Sequence, residues 1–335
     1  MKHLVTAGLA ALSLGLAAPA PAQDGANYIL STASTGGTYY PVGVAIATLT
    51  KVRLEPSTGI GMSAISSAGS GENVRLLREG EAQFGILQGL FGYFAATGTG
   101  PVEADGAQEH LRSVTLLWPN VEHFILDNEH VSGGTFSDFL SIKGMTAGLG
   151  RANSGTIGSN AAILANFDLD AYNDFDLVDA GYGPTVEALQ NGQADGVSIP
   201  AGPPVGAVSQ LLAAAGDDVT VLNFTDEELA QADGDRGLWF RYVIASGTYP
   251  GQDADIETIA QPNFLATHAD IPDDHVYEIT KTIYENLPFL QAIHPATNAM
   301  SLEVAISGLP VPLHPGAARF YQEQGIEIPE RLIAN

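Results

Sequence analysis

The sequence predicts an α/β protein of two similar lobes joined by two extended crossings. Three observations carry this. Apolar strand-like runs alternate with helical stretches through the first two-thirds of the chain. A helix–glycine–strand unit recurs at constant spacing. Two long β-rich segments, each with a proline near its middle, stand between the repeated parts.

Taken in order, residues 27–33 read as a strand, followed by the loop "STGGTYY" and a helix from about Pro41 to Val52. A strand over 61–66 precedes a helix over 71–79, which carries Val74, Leu76 and Leu77 and stops at Gly80. Residues 84–88 form a buried strand. In the second half, strands are expected over 144–149, 176–179, 196–199 and 219–223, and helices over 155–166, 184–190 and 205–215. Such alternation predicts a parallel sheet covered by helices.

The halves superpose as sequences. "ENVRLLREGEAQFGILQG" (72–89) aligns with "PTVEALQNGQADGVSIPA" (184–201) at an offset of 112. Val74 meets Val186, Leu77 meets Leu189, Gly80 meets Gly192 and Ala82 meets Ala194. "TGGT" (35–38) likewise matches "NSGT" (153–156), each after a strand. Helix–glycine–strand units look alike in many α/β folds, but two matched features in the same order favour two similar lobes. The crossings are residues 111–127, with Pro119, and 255–268, with Pro262. Two crossings make the first lobe discontinuous: 23–119 with 255–335, against 120–254 for the second. This is the geometry of a hinge-closing binding protein.

Residues 1–22 stand apart. Lys2 and His3 precede an apolar run, Leu4 to Leu16, too short to span a bilayer, and Ala20-Pro21-Ala22 is a small-x-small site. This predicts a cleaved secretory signal peptide and a periplasmic location. The chain of 335 residues is 45% hydrophobic and contains no cysteine, so a sizeable core must stabilise it without disulfides. Lack of cysteine removes thiolate zinc sites, iron–sulfur clusters and thiol catalysis. Acids outnumber bases 38 to 13, a formal charge of −25, which disfavours nucleic acid as a partner. The ligand need not be a cation, because exposed charges are screened within about 8 Å at physiological salt.

Catalytic motifs fail one by one. "GRANSGT" (150–156) has the glycine spacing of a phosphate loop but lacks its lysine, and "GLGRAN" ends on Asn153 where a dinucleotide loop needs glycine. No serine has the G-x-S-x-G frame; Ser70 lies in "AGSGE". No two histidines are spaced i, i+4, and "DGDRG" is too short for a calcium loop, so neither metal nor cofactor is expected.

What remains is a pair of small-polar loops at the carboxyl ends of strands, where open α/β sheets hold ligands. Glycines permit close approach, and helix starts favour an anion. The hydroxyls of Thr35, Thr38, Ser154 and Thr156 are candidate donors to a carboxylate, with Tyr39 as a wall. Helix capping is the plainer use of the same residues. Arg151 offers a two-pronged grip on a carboxylate or a salt bridge to the acidic surface. Trp118 either stacks on the ligand or fills the hinge.

Four blocks carry a resemblance: "TASTGGTYYPVGVAIA", "SSAGSGENVRLLREGEAQFGILQ", "SGTYPGQDADIETIAQPNFLAT" and "HPATNAMSLEVAISGLPVPLHPGAARFYQEQG". From about residue 27 to 325 the chain resembles the TAXI family, the extracytoplasmic solute receptors of tripartite ATP-independent periplasmic (TRAP) transporters. The resemblance implies a two-lobe periplasmic binding fold of type II. It implies capture of a glutamate-like amino acid or a C4–C5 dicarboxylate such as 2-oxoglutarate. It also implies delivery to the membrane subunits of a sodium-coupled TRAP transporter, by a monomer that is not an enzyme. By motif, it assigns to the pocket Gly36, Gly37, Thr38, Tyr39, Ser70, Glu72, Asn73 and Gln88. From the second lobe it adds Ser154, Gly155, Thr156, Pro200, Ala201 and Gly202. Two departures stand out: Arg151 is inserted before Ser-Gly-Thr, and Gly89-Leu90 replaces the family's frequent Ser-Asp. An added base and a missing acid favour a more anionic ligand. The other readings are a receptor that presents its closed lobes to a membrane sensor, and a hydrolase on a similar fold, for which no nucleophile–base pair is visible.

Overall fold

The computed structural model describes residues 25–334; the expected signal peptide lies outside them. The chain begins with β1 (Ala26–Ser31), α1 (Tyr39–Thr58), β2 (Ile60–Ile65), α2 (Ser70–Arg78), β3 (Phe84–Gln88) and α3 (Gly89–Thr97). It then extends through β4 (Leu111–Val121) and β5 (Phe124–Asp127). The middle contains α4 (Phe136–Leu140), β6 (Thr146–Gly148), α5 (Gly155–Ala165), β7 (Asp176–Leu177), α6 (Tyr182–Gln190), β8 (Gly196–Ser198) and α7 (Gly206–Ala215). After β9 (Val219–Val221), α8 (Asp226–Asp233) and β10 (Phe240–Ile244), the chain returns along β11 (Ile256–His268) and ends with α9 (Asp273–Glu285), α10 (Leu287–Ile293) and α11 (Pro315–Glu323).

Two sheets result. One has the order β10-β11-β3-β1-β2 with β4 on the other side of β11; the second has the order β7-β6-β8-β5-β9. The expectation of a parallel sheet holds only at one end of each. β1 runs parallel to β2 and β3, and β6 runs parallel to β7 and β8. β11 is antiparallel to β3 and β4, and β5 is antiparallel to β8 and β9. The reason is topological: a strand that returns from the other lobe enters the sheet from its far end.

The repeat is structural. At the offset of 112, α2 and β3 fall on α6 and the start of β8, and Gly80 and Gly192 both adopt positive φ, 71° and 66°. Each terminates its helix in a conformation that glycine takes without steric cost. Boundaries moved modestly. α1 begins earlier than expected and runs through Pro56, and β7 is two residues long. The segment after Gln88, where Gly89-Leu90 stands in place of a polar pair, begins helix α3, with Gly89 and Leu90 buried.

Three apolar clusters form the interior. In the largest, Leu30, Ile46, Phe84 and Ile86 pack with Val276, Ile279, Phe320 and Tyr321, so the C-terminal helices cover the N-terminal sheet. The others lie around Phe124, Phe136 and Phe139, and around Val197, Val208 and Ile244.

Between the sheets, β4 and β11 pair antiparallel. Pro119 lies opposite Pro262 and Asn120 opposite Gln261, and the register slips between Pro262 and Phe264. Proline has no N–H, so the ladder is weakest at this rung. Just past it, Glu122 is fully buried: its Oε1 accepts a 3.4 Å bond from Trp239 Nε1, and its Oε2 has no partner. Burial pushes its carboxyl up to about 8. Next to it, burial pushes His123 down to about 4; its ring bonds Val121 O at 2.9 Å and Tyr249 Oη at 2.7 Å.

A carboxyl that keeps its proton in the folded state but loses it on unfolding makes stability fall as pH rises from the ordinary carboxylate range towards 8. Glu122→Gln removes this cost. Denaturant titration should show the variant more stable than the parent by on the order of 2–3 kcal/mol at pH 8, with the gain absent near pH 4.5.

Candidate functional site

One cleft collects the carboxyl ends of the strands from both lobes. Residues at five helix starts line it: Thr38 and Tyr39 (α1), Gly69 and Ser70 (α2), Gln88 (α3), Ser154, Gly155 and Thr156 (α5), and Gly181 and Tyr182 (α6). Five sets of first-turn N–H groups, each at the positive end of a helix dipole, therefore surround one cavity. Its empty volume is about 460 Å³ with the open mouth included, while the room that can be entered between the shut lobes is only about 30 Å³. The lining contains no aspartate or glutamate, and its one charged side chain is Arg151.

The lobes are shut on each other. Thr38 Oγ1 donates to Gly202 O at 2.6 Å, Ala207 N donates to Gly36 O at 3.2 Å, and Glu72 N donates to Asn153 O at 2.9 Å. The closest approach is at Gly155, where a Cβ would lie 2.7 Å from Gln88 Oε1 and 2.8 Å from Ser70 Oγ. Only glycine lets the α5 start meet the opposite lobe this closely.

The candidate residues divide into groups. Gly37, Thr38, Tyr39, Ser70, Gln88, Arg151, Ser154, Gly155, Thr156, Pro200 and Ala201 share the cavity wall. Thr35 is exposed and outside it, because the loop turns its side chain to solvent before the helix starts. Gly36 and Gly202 join the lobes through their carbonyls rather than facing the cavity. Glu72 lies in the adjoining groove, where its carboxylate accepts from Ala68 N at 2.5 Å. Asn73 is fully buried and ties loops together: its Nδ2 donates to Thr32 O at 2.7 Å and Ile86 O at 2.9 Å, and its Oδ1 accepts from Ser67 Oγ. Trp118 is buried against Tyr39, ring centroids 6.1 Å apart, and fills the hinge.

The hydroxyls are also sorted. Ser154 caps α5, accepting from Ile157 N at 3.1 Å. Thr38 bridges the lobes, and Thr156 bonds Tyr182 Oη at 2.9 Å. Tyr39 turns its hydroxyl to Asn263 Oδ1 and leaves its ring in the wall. Burial raises the pKa of both Tyr39 and Tyr182, so both remain neutral donors. Ser70 Oγ accepts from Gln88 N at 3.0 Å. Among the described residues neither Ser70 nor Ser154 bonds a histidine, and no group of residues is arranged to hold a metal.

Arg151 is exposed at the mouth, between the cavity and the Glu72 groove, and among the described residues it forms no ion pair. Sequence reasoning missed Ser34, Asn120 and Tyr182. Tyr182 begins the helix that repeats α2 at the offset of 112, so it is the counterpart of Ser70 and was within reach of the alignment.

Two α/β lobes shut over such a cleft, and hinged on paired strands, define the two-lobe periplasmic binding-protein fold. The chain belongs to the NMT1-like family, whose profile matches residues 30–325. Similar solved structures include a protein from Bordetella bronchiseptica RB50, 15% identical over 91% of this chain and 85% of that one, with a TM-score of 0.53. The periplasmic binding protein BugD is 12% identical over 89% of this chain and 92% of its own, with a TM-score of 0.49. The aliphatic sulphonate binding protein SsuA from Escherichia coli is 14% identical over 91% and 95%, with a TM-score of 0.44.

Gly155→Ala should hold the lobes apart. Overpacking of this kind costs about 1–3 kcal/mol, so calorimetry should show binding weakened about tenfold or more, with the unfolding midpoint of the ligand-free protein unchanged.

Proposed function

We propose that the protein is an extracytoplasmic receptor that captures a small anionic solute by hinge closure and delivers it to a membrane transporter. The observation that carries this reading is the convergence of five helix starts on a closed cavity with no carboxylate in its lining. An anion there meets oriented N–H groups at no cost in reorganisation.

The lobe division follows the crossings, 23–119 with 255–335 against 120–254. Glutamate-like amino acids and C4–C5 dicarboxylates are the candidate solutes, and the TAXI-like sequence blocks support a sodium-coupled TRAP transporter as the recipient. The expected signal peptide and a monomeric state fit that role. Among the described residues no helix is long and apolar enough to cross a membrane.

Isothermal titration against amino acids and dicarboxylates, with small-angle scattering to follow closure, tests the receptor. Binding with a fall in radius of gyration is expected; no binding by any member would sink the proposal. Uptake into vesicles that contain the transporter subunits should depend on both this protein and a sodium gradient.

Arg151 grips the solute only at the rim. Arg151→Ala should weaken an anionic ligand by about 1 kcal/mol, roughly fivefold, and calorimetry should show the difference shrinking as salt rises.

A further inference from the structure

We propose that the floor of the cleft, through the side-chain amides of Gln88 and Asn120, selects carboxylates bearing a neutral group that both donates and accepts, a hydroxyl or a carboxamide. This rests on the receptor reading above and narrows its solute.

Gln88 ends β3 and Asn120 lies on β4; they are 3% and 1% exposed, and both line the cavity. Among the described residues, Gln88 Oε1 and Asn120 Nδ2 are buried without a hydrogen-bond partner. Buried polar atoms are nearly always paired, so these two mark where a ligand's polar atoms belong.

Of the nearby groups some are committed elsewhere, while Gln261 Nε2 and Asn263 Nδ2 on β11 are likewise buried without a partner. Ser70 Oγ accepts from the backbone N–H of Gln88, and the Tyr39 hydroxyl donates to Asn263 Oδ1. The Tyr182 hydroxyl donates to Pro200 O at 2.6 Å, and Gln261 Oε1 accepts from Leu90 N at 3.0 Å. Asn263 and Gln261 are the cross-strand partners of Gln88 and Asn120, so β11 backs the floor with amides of its own.

An unfilled oxygen calls for a donor and an unfilled NH2 for an acceptor. Turning both amides by 180° exchanges the two demands and turning one makes them alike; as the two amides stand, the floor asks for one donor and one acceptor. A plain carboxylate accepts but does not donate. An ammonium donates, but its charge would be enclosed with no aspartate or glutamate in the lining, and buried charges without partners are disfavoured. A hydroxyl or a carboxamide meets both demands without charge. Sites built on hydrogen bonds reject analogues that lack them strongly, because the site's own polar groups are then left unpaired.

Isothermal titration of the dialysed full protein against two matched sets tests this. The C4 set is succinate, malate, succinamate and aspartate; the C5 set is glutarate, 2-hydroxyglutarate, glutaramate and glutamate. A hydroxy or carbamoyl acid should bind at least about tenfold more tightly than both its unsubstituted and its amino counterparts. Gln88→Leu and Asn120→Leu should reduce that preference to below about threefold. If the unsubstituted or the amino acid binds as tightly as the best of its set, the inference falls and the receptor reading stands. Folded leucine variants that keep the preference overturn it equally; should the variants fail to fold, the ordering in the unaltered protein decides. No binding by any member of either set removes the receptor reading and this inference together.

Discussion

The pairing of β4 with β11 is the constraint on which the rest of the molecule depends. These strands cross between the sheets side by side, so the lobes share one antiparallel ladder instead of two loose linkers. Pro119 and Pro262 meet in that ladder and remove two donors from one place. The join is thus continuous yet weakest at a defined rung, which is what rotation of one lobe against the other requires. The same ladder carries Asn120, Gln261 and Asn263 inward, so the hinge and the floor of the cleft are built from one pair of strands.

The helix starts that line the cleft also join the two lobes. The loops before α1 and α5 do more than present polar groups. Thr38 spends its hydroxyl on Gly202 O across the cleft, and Ser154 spends its own on the first turn of α5. The amide Oε1 of Gln88 and Nδ2 of Asn120 are left without a partner on residues of the cavity wall. The chain's excess of acids does not reach this cavity, and Arg151 stands alone at its rim. Surface acidity and cavity chemistry are therefore set independently, the first screened by salt and the second shielded by burial.

Much of the fold was legible. The repeat at an offset of 112 fell on α2–β3 and α6–β8 because helix-stopping glycines and buried β-branched runs are local signals. The crossings were legible through their length and their prolines. The direction of the sheets was not: alternation suggested parallel strands, whereas β11 and β5 run antiparallel to their neighbours because they return from the opposite lobe. For the site, the loops were visible but the orientation of their side chains was not. Thr35 and Thr38 look equivalent in "STGGT", yet one faces solvent and the other bridges the lobes. Asn73 follows Glu72 in the same motif, yet it is wholly absorbed by loop carbonyls.

The sequence by itself determined two similar α/β lobes, a glycine-rich loop opening each, and the lack of cysteine and of a phosphate-loop motif, because these depend on residue type and short-range spacing. Only the tertiary structure decided which polar groups are left over. Whether Gln88 and Asn120 are satisfied depends on what β11, Ser70 and the tyrosines have already taken. Those partners are far apart in the chain, and hydrogen-bond accounts are settled only once the strands are side by side.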